Sequence, residues 1–187
     1  MKYFLIEGIR RFGQLLVSPQ LFSFPVFYAV RKYTYSILFN IGKKSHIGYN
    51  VILHREHKLS NGKIKIGNNV LLADNVKIDY SGEVIIKDNV WLSDCVHIHT
   101  HSHKLTKNRI NWDKNEIETT HLTIEKNSWL GDGVIVLPSV RYIGENSIIG
   151  AGSVVTKDMP RNVVCGGNPC VIIRNMNEVN HLSSEIL

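Results

Sequence analysis

At 187 residues, 43% hydrophobic and 20% charged, the chain has the size and composition of one folded domain, which excludes a disordered or low-complexity protein. Its three cysteines, Cys95, Cys165 and Cys170, are odd in number and form no close-spaced framework, so they suit a reducing, cytoplasmic setting and packing roles rather than a disulfide scaffold. The whole net charge of +6 resides in residues 1–46, where Lys2, Arg10, Arg11, Arg31, Lys32, Lys43 and Lys44 face only Glu7; a neutral body argues against nucleic acid as a partner.

In chain order, residues 1–46 read as a basic, aromatic segment, short and helical. Its uncharged run FGQLLVSPQLFSFPVFYAV (12–30) is broken by Pro19 and Pro25 and diluted by polar side chains, so it does not read as a bilayer span. The segment either packs on the body or lies at the inner face of a membrane as a peripheral contact. Because it precedes the repeat described next, it is expected to tune location and to be dispensable for chemistry.

Residues 47–160 carry an internal repeat, Ile-x-x-Asn-Val/Ser, starting at Ile47, Ile66, Ile86, Ile124 and Ile143. Within each copy an aliphatic residue returns every six positions, as in Ile66, Leu72, Ile78 and Ile86, Leu92, Ile98. The returns at three and four residues that a helix needs are absent, whereas a short strand and a tight corner every six residues fit. Three such strands close one triangular coil. The fold class is therefore an all-β solenoid, a left-handed parallel β-helix with its aliphatic residues stacked inside. Asn at a fixed place in each coil suits a corner of positive φ. Residues 161–187 form a C-terminal extension.

The period fails between Ile98 and Ile124, so residues 104–121 are expected to protrude as a loop, and such insertions usually serve a site. At its mouth lies HIHTHSH (97–103). On a flat strand its four histidines would share one face, but in the repeat frame a corner falls among them. A four-histidine metal site becomes a weaker reading than partly exposed surface histidines.

Several motifs carry a family resemblance: IDYSG (78–82), THSH (100–103), WLGDGVIVLPSV (129–140) and IGENSIIGAGSVVTKDMPRNVVCGGNPC (143–170). Residues 60–175 resemble the hexapeptide-repeat acyltransferases of the galactoside and maltose O-acetyltransferase type, especially the branch that acetylates surface polysaccharides. The resemblance implies a homotrimer that uses acetyl-CoA as co-substrate, with no metal, to acetylate a saccharide hydroxyl. It places the general base on His103, with His101 as runner-up, and gives Trp112 of the loop a sugar-stacking role. It puts the oxyanion and acetyl site near Trp129, Gly131 and Asp132, and the coenzyme A path along Trp129, Ala151, Gly152, Thr156, Lys157 and Arg174. Two positions depart from the galactoside pattern: Ala73 stands where an acceptor-lining Asn is expected, and Val171 where a basic residue is common. Asp79 is the replacement candidate, contacting an acceptor hydroxyl or steering His103. Rival readings use the same coils: N-acylation of a nucleotide-linked amino sugar, a zinc protein similar to γ-class carbonic anhydrases, although no two histidines have that family's five-residue spacing, or a catalytically silent scaffold.

Overall fold

The computed structural model describes residues 2–17, 25–56, 60–104 and 116–176. Two helices, α1 (Lys2–Val17) and α2 (Pro25–Leu38), lead into the coils. The first coil is β1 (Asn40–Ile41), β2 (His46–Ile47) and β3 (Ile52–His54); the second is β4 (Lys63–Ile66), β5 (Leu71–Leu72) and β6 (Lys77–Asp79); the third is β7 (Glu83–Ile86), β8 (Trp91–Leu92) and β9 (His97–Ile98). A hairpin of β10 (His101–His103) and β11 (Ile117–Thr119) interrupts the stack. Coiling resumes with β12 (Leu122–Ile124), β13 (Trp129–Leu130) and β14 (Ile135–Val136), then β15 (Tyr142–Ile143), β16 (Ile148–Ile149) and β17 (Val154–Val155). The described chain ends with β18 (Val163–Gly166) and β19 (Val171–Asn175).

Corresponding strands of successive coils pair in parallel, giving three walls: β1-β4-β7-β12-β15, β2-β5-β8-β13-β16-β18, and β3-β6-β9-β14-β17. β19 closes the second wall as an antiparallel edge. The register stacks like on like, Leu72 on Leu92 and Ile78 on Ile98, and these side chains are fully or almost fully buried. The six-residue aliphatic period is thus the inward face of the solenoid. Serines at the equivalent of the valine position, Ser128 and Ser147, are also buried, and each hydroxyl donates to a carbonyl of the next coil, Gly144 O and Pro160 O.

Corners need left-handed backbone, and the sequence supplies Asn there: Asn50, Asn69, Asn89, Asn127 and Asn146 have φ between 52° and 61°. Their side chains do a second job. Asn69, Asn89, Asn127, Asn146 and Asn162 form a ladder in which each amide donates to the next at 2.9–3.0 Å. Cys95 occupies such a corner as well, at φ 59°, and is exposed, so it is not the packing residue expected; Cys165 and Cys170 are buried.

The coils begin earlier than the repeat suggests, since β1 at residues 40–41 already pairs with β4. The start of a solenoid exposes unpaired strand edges, and the helices cover it. Gln14 accepts from Leu53 N (2.7 Å) and donates to Leu53 O (2.9 Å), acting as an extra rung on β3. Arg31 donates to Ile47 O on β2 (3.0 Å), and the Tyr35 hydroxyl donates to Val51 O. Tyr35 and Phe39 also plug the core. Gly13 gives α1 its approach to α2, because a Cβ there would meet Leu38 Cδ1 at 2.6 Å.

Candidate functional site

Thr100 is the knot from which the hairpin leaves the third coil. Its hydroxyl donates to Asp79 O (2.8 Å) and accepts from Gly82 N (2.9 Å), and its carbonyl accepts from Thr120 N (2.8 Å). β10 then runs antiparallel to β11, with Ser102 opposite Glu118, and Lys104 pairs with Glu116 at 2.6 Å at the outer end of the stem. The insertion is therefore stiff where it joins the body. Trp112 lies outside the described residues.

Strand alternation puts His101 and His103 on the same side of β10, and their rings meet edge to face with centroids 5.9 Å apart. His97 and His99 form a separate pair, 6.5 Å apart. Among the described residues, no group of three or more His, Cys, Asp or Glu is arranged to hold a metal ion.

Asp79 sits at the centre. Strand alternation after the inward Ile78 would turn it to solvent, but the Glu56 segment, Ser81 and Thr100 cover it, leaving its side chain 2% exposed. Its carboxylate accepts from Ser81 N (2.9 Å), Ser81 Oγ (2.6 Å) and Thr100 N (3.2 Å), and lies 2.5 Å from His101 Nδ1. Burial alone would push the carboxyl up. The hydrogen bonds from Ser81, His101 and the Ser81 and Thr100 amides outweigh it and hold Asp79 below the ordinary carboxylate range. Asp79 thus steers a histidine, but that histidine is His101 and not His103. With its carboxylate enclosed, direct contact with an acceptor hydroxyl is not the role this geometry favours.

The contact with Asp79 fixes the Nδ1 side of the His101 ring, whose side chain is 16% exposed. Burial lowers the neighbouring His99 below the ordinary imidazole value, against a smaller opposing pull from Asp79. Beyond Asp79, the Tyr80 hydroxyl lies 3.0 Å from Glu7 Oε1, and Arg10 joins the same carboxylate at 2.9 Å. Helix α1 therefore reaches the residue beside the dyad.

The remaining expected site residues fall on two different edges of the triangular coil. Gly131, Asp132, Ala151 and Gly152 share the corner that follows the second wall, and Gly152 N donates to Asp132 O (2.7 Å) across adjacent coils. Gly131 does not fit an oxyanion role: its amide is spent on Ile149 O (2.9 Å), and the glycine is required because a Cβ would meet Ala151 N at 2.8 Å. Gly152 is different, being exposed at φ +69° with open space where a Cβ would stand. Trp129 faces outward on the second wall, 46% exposed, and its indole donates to Ser93 Oγ (2.9 Å). Directly beside it in register stands Trp91, 52% exposed, which sequence reasoning missed. The repeated pair Trp91-Leu92 and Trp129-Leu130 was the available signal.

Thr156 and Lys157 lie at the other edge, after β17, two strands along the third wall from β9 and its histidines. At the usual strand spacing that is about 10 Å. Arg174 is exposed on β19, paired in register with Val164.

Residues 121–157 match the family model described as bacterial transferase hexapeptide (six repeats). The galactoside O-acetyltransferase of Escherichia coli (strain K12) is 36% identical over 143 residues, which are 76% of this chain and 59% of that protein, so the chain spans less than two-thirds of that relative. An Escherichia coli (strain K12) protein named for acetylation in colanic acid biosynthesis, WcaF, is 35% identical over 61% of this chain and 70% of its own length. Among solved structures, a galactoside acetyltransferase in complex with coenzyme A superposes with a TM-score of 0.80 at 27% identity, covering 96% of this chain and 84% of that one. With its stacked hexapeptide coils and these relatives, the chain belongs to the hexapeptide-repeat acetyltransferase family, whose solenoid is the left-handed β-helix.

Proposed function

We propose that this protein is an acetyl-CoA-dependent O-acetyltransferase whose acceptor is a saccharide hydroxyl, in a surface polysaccharide or its precursor. The observation that carries this reading is the histidine pair His101 and His103, backed by a buried carboxylate and fixed at the mouth of the inserted hairpin. A sugar hydroxyl attacks a thioester slowly unless a neutral imidazole accepts its proton as the carbon–oxygen bond forms. The tetrahedral oxyanion then collapses, the carbon–sulfur bond breaks, and the imidazolium returns the proton to the departing thiolate. His103 is the base in this reading, and the Asp79–His101 contact positions the strand that carries it. Lys157 and Arg174 supply charge for the coenzyme A phosphates. No step requires a metal.

A second assignment is favoured by one specific distance. Asp79 braces His101, and a carboxylate behind an imidazole is the arrangement that fixes a base in its working tautomer.

The test is acetyl transfer from labelled acetyl-CoA to a panel of oligosaccharides and nucleotide sugars. His103→Ala is expected to lower kcat by about two to four orders of magnitude while keeping the thermal shift produced by acetyl-CoA. If His103→Ala turns over normally and His101→Ala does not, the base is His101. A wild-type protein that neither transfers acetyl groups nor is stabilised by acetyl-CoA overturns the reading.

A further inference from the structure

The two capping helices turn apolar side chains outward as well as inward. In α1 the residues turned to the solenoid include Glu7, Arg10 and Gln14, whereas Leu5, Ile9, Phe12 and Leu16 are 66%, 53%, 62% and 51% exposed. Their spacing of four, three and four places them on one stripe. On α2, Val30, Tyr33 and Ile37 repeat the pattern at 48%, 69% and 63% exposure. The inward polar residues have a structural reason, since Gln14 and Arg31 pair backbone groups of the first coil. The apolar outer face has none in folding, because it packs against nothing the described chain provides.

Charge identifies its occupant. Glu7 is the one acidic residue in positions 1–46, and it is turned inward against Arg10 and Arg55. Lys43 and Lys44 at the first corner of the capped coil are exposed, as is Arg11 on α1, although its guanidinium also donates to Arg55 O (3.1 Å). A second copy of this face would bring cation against cation. Apolar stripes on helices that carry no exposed anion, with exposed cations at Arg11, Lys43 and Lys44, suit the interface of an anionic bilayer. Helices of 16 and 14 residues can lie in that interface, and among the described residues no helix is long and apolar enough to cross a membrane. We propose that the outer faces of α1 and α2 dock this protein on an anionic phospholipid surface. The proposal is independent of the acetyl-transfer reading.

Flotation of the full-length protein with vesicles of phosphatidylcholine, with and without phosphatidylglycerol, tests it. Wild type is expected to bind the phosphatidylglycerol vesicles, less in high salt, and to leave the neutral ones largely unbound. Phe12→Asp is expected to weaken binding at least tenfold, the scale for losing one buried aromatic side chain, with acetyl transfer to a soluble acceptor unchanged. Lys43→Glu with Lys44→Glu, outside the helices, should weaken it through charge alone and guards against a folding defect in the first variant. The proposal is overturned if wild type stays unbound to phosphatidylglycerol vesicles at low salt. It is equally overturned if the stripe variants alter the oligomer's mass while vesicle binding persists. Vesicle binding needs no turnover, so its failure and that of the enzymatic reading are separate results.

Discussion

Asp79 shows how one side chain is tuned by what covers it. Its carboxyl is held below the ordinary range in the folded chain, so the native state binds fewer protons there than the unfolded chain does. Its contribution to stability is therefore present above the ordinary carboxylate pKa and is lost as pH falls through the lower native value. Asp79→Asn is expected to reduce Tm at neutral pH and to flatten the acid side of the Tm profile, measured from about pH 6 down to about pH 3. Parallel profiles would mean that Asp79 carries no linked stability. On the proposed mechanism the same variant should lower kcat far more than it changes the KM for acetyl-CoA, because Asp79 contacts His101. In sequence Asp79 and the histidines were visible as chemistry, but their pairing was not. The contact spans 22 positions and depends on Ser81 and Thr100 closing over a carboxylate that strand alternation alone would expose.

At the scale of elements, the coils were readable because each aliphatic residue contacts its own repeat equivalent one coil away. Local pattern and tertiary packing are then the same information, and Asn at the corners follows from backbone sterics. The caps were not readable in that way. Gln14 and Arg31 look like ordinary polar helix residues until β3 and β2 are known to need partners for their outer edges. Gln14→Leu removes one donor and one acceptor from a buried rung, and each unsatisfied group costs about 1–3 kcal/mol. We expect a loss of about 2 kcal/mol or more, read as a lower denaturant midpoint with unchanged slope. The expectation that the N-terminal segment is dispensable needs revision on the same ground. Deleting residues 2–36 would uncover the first coil and remove Glu7 from Tyr80, so that variant should lose stability before it reports on chemistry. The outward stripe was legible only as an apolar, basic composition; which side faced the body depended on the edges it had to cover.

For the whole molecule, the decisive fact is that one chain cannot bring its own candidate groups together. The histidines, Thr156 and Lys157 lie along the edge after the third wall, while Trp129 lies on the second wall and Asp132 and Gly152 at the corner that follows it. A site that uses both edges must join the histidine edge of one copy to the tryptophan edge of the next. A head-to-tail contact of that kind forms a ring where its rotation closes, and three-fold closure would give three equal sites. Trp91 and Trp129, outward and adjacent, would give such a contact an apolar centre. The expected native mass is three times the chain's 21.3 kDa. Subunit mixing tests the shared site more directly than mass does. His103→Ala and Trp129→Ala proteins, each expected to be impaired alone, should recover when unfolded together and refolded as mixed trimers. An interface made from one chain's intact His103 and the next chain's intact Trp129 forms in about a quarter of random pairings, which sets the activity regained. Recovery near that level places the two residues in one site built from two subunits. No recovery from a mixture that refolds to the trimer mass would put His103 and Trp129 in separate roles, with the chemistry confined to the histidine edge of each chain.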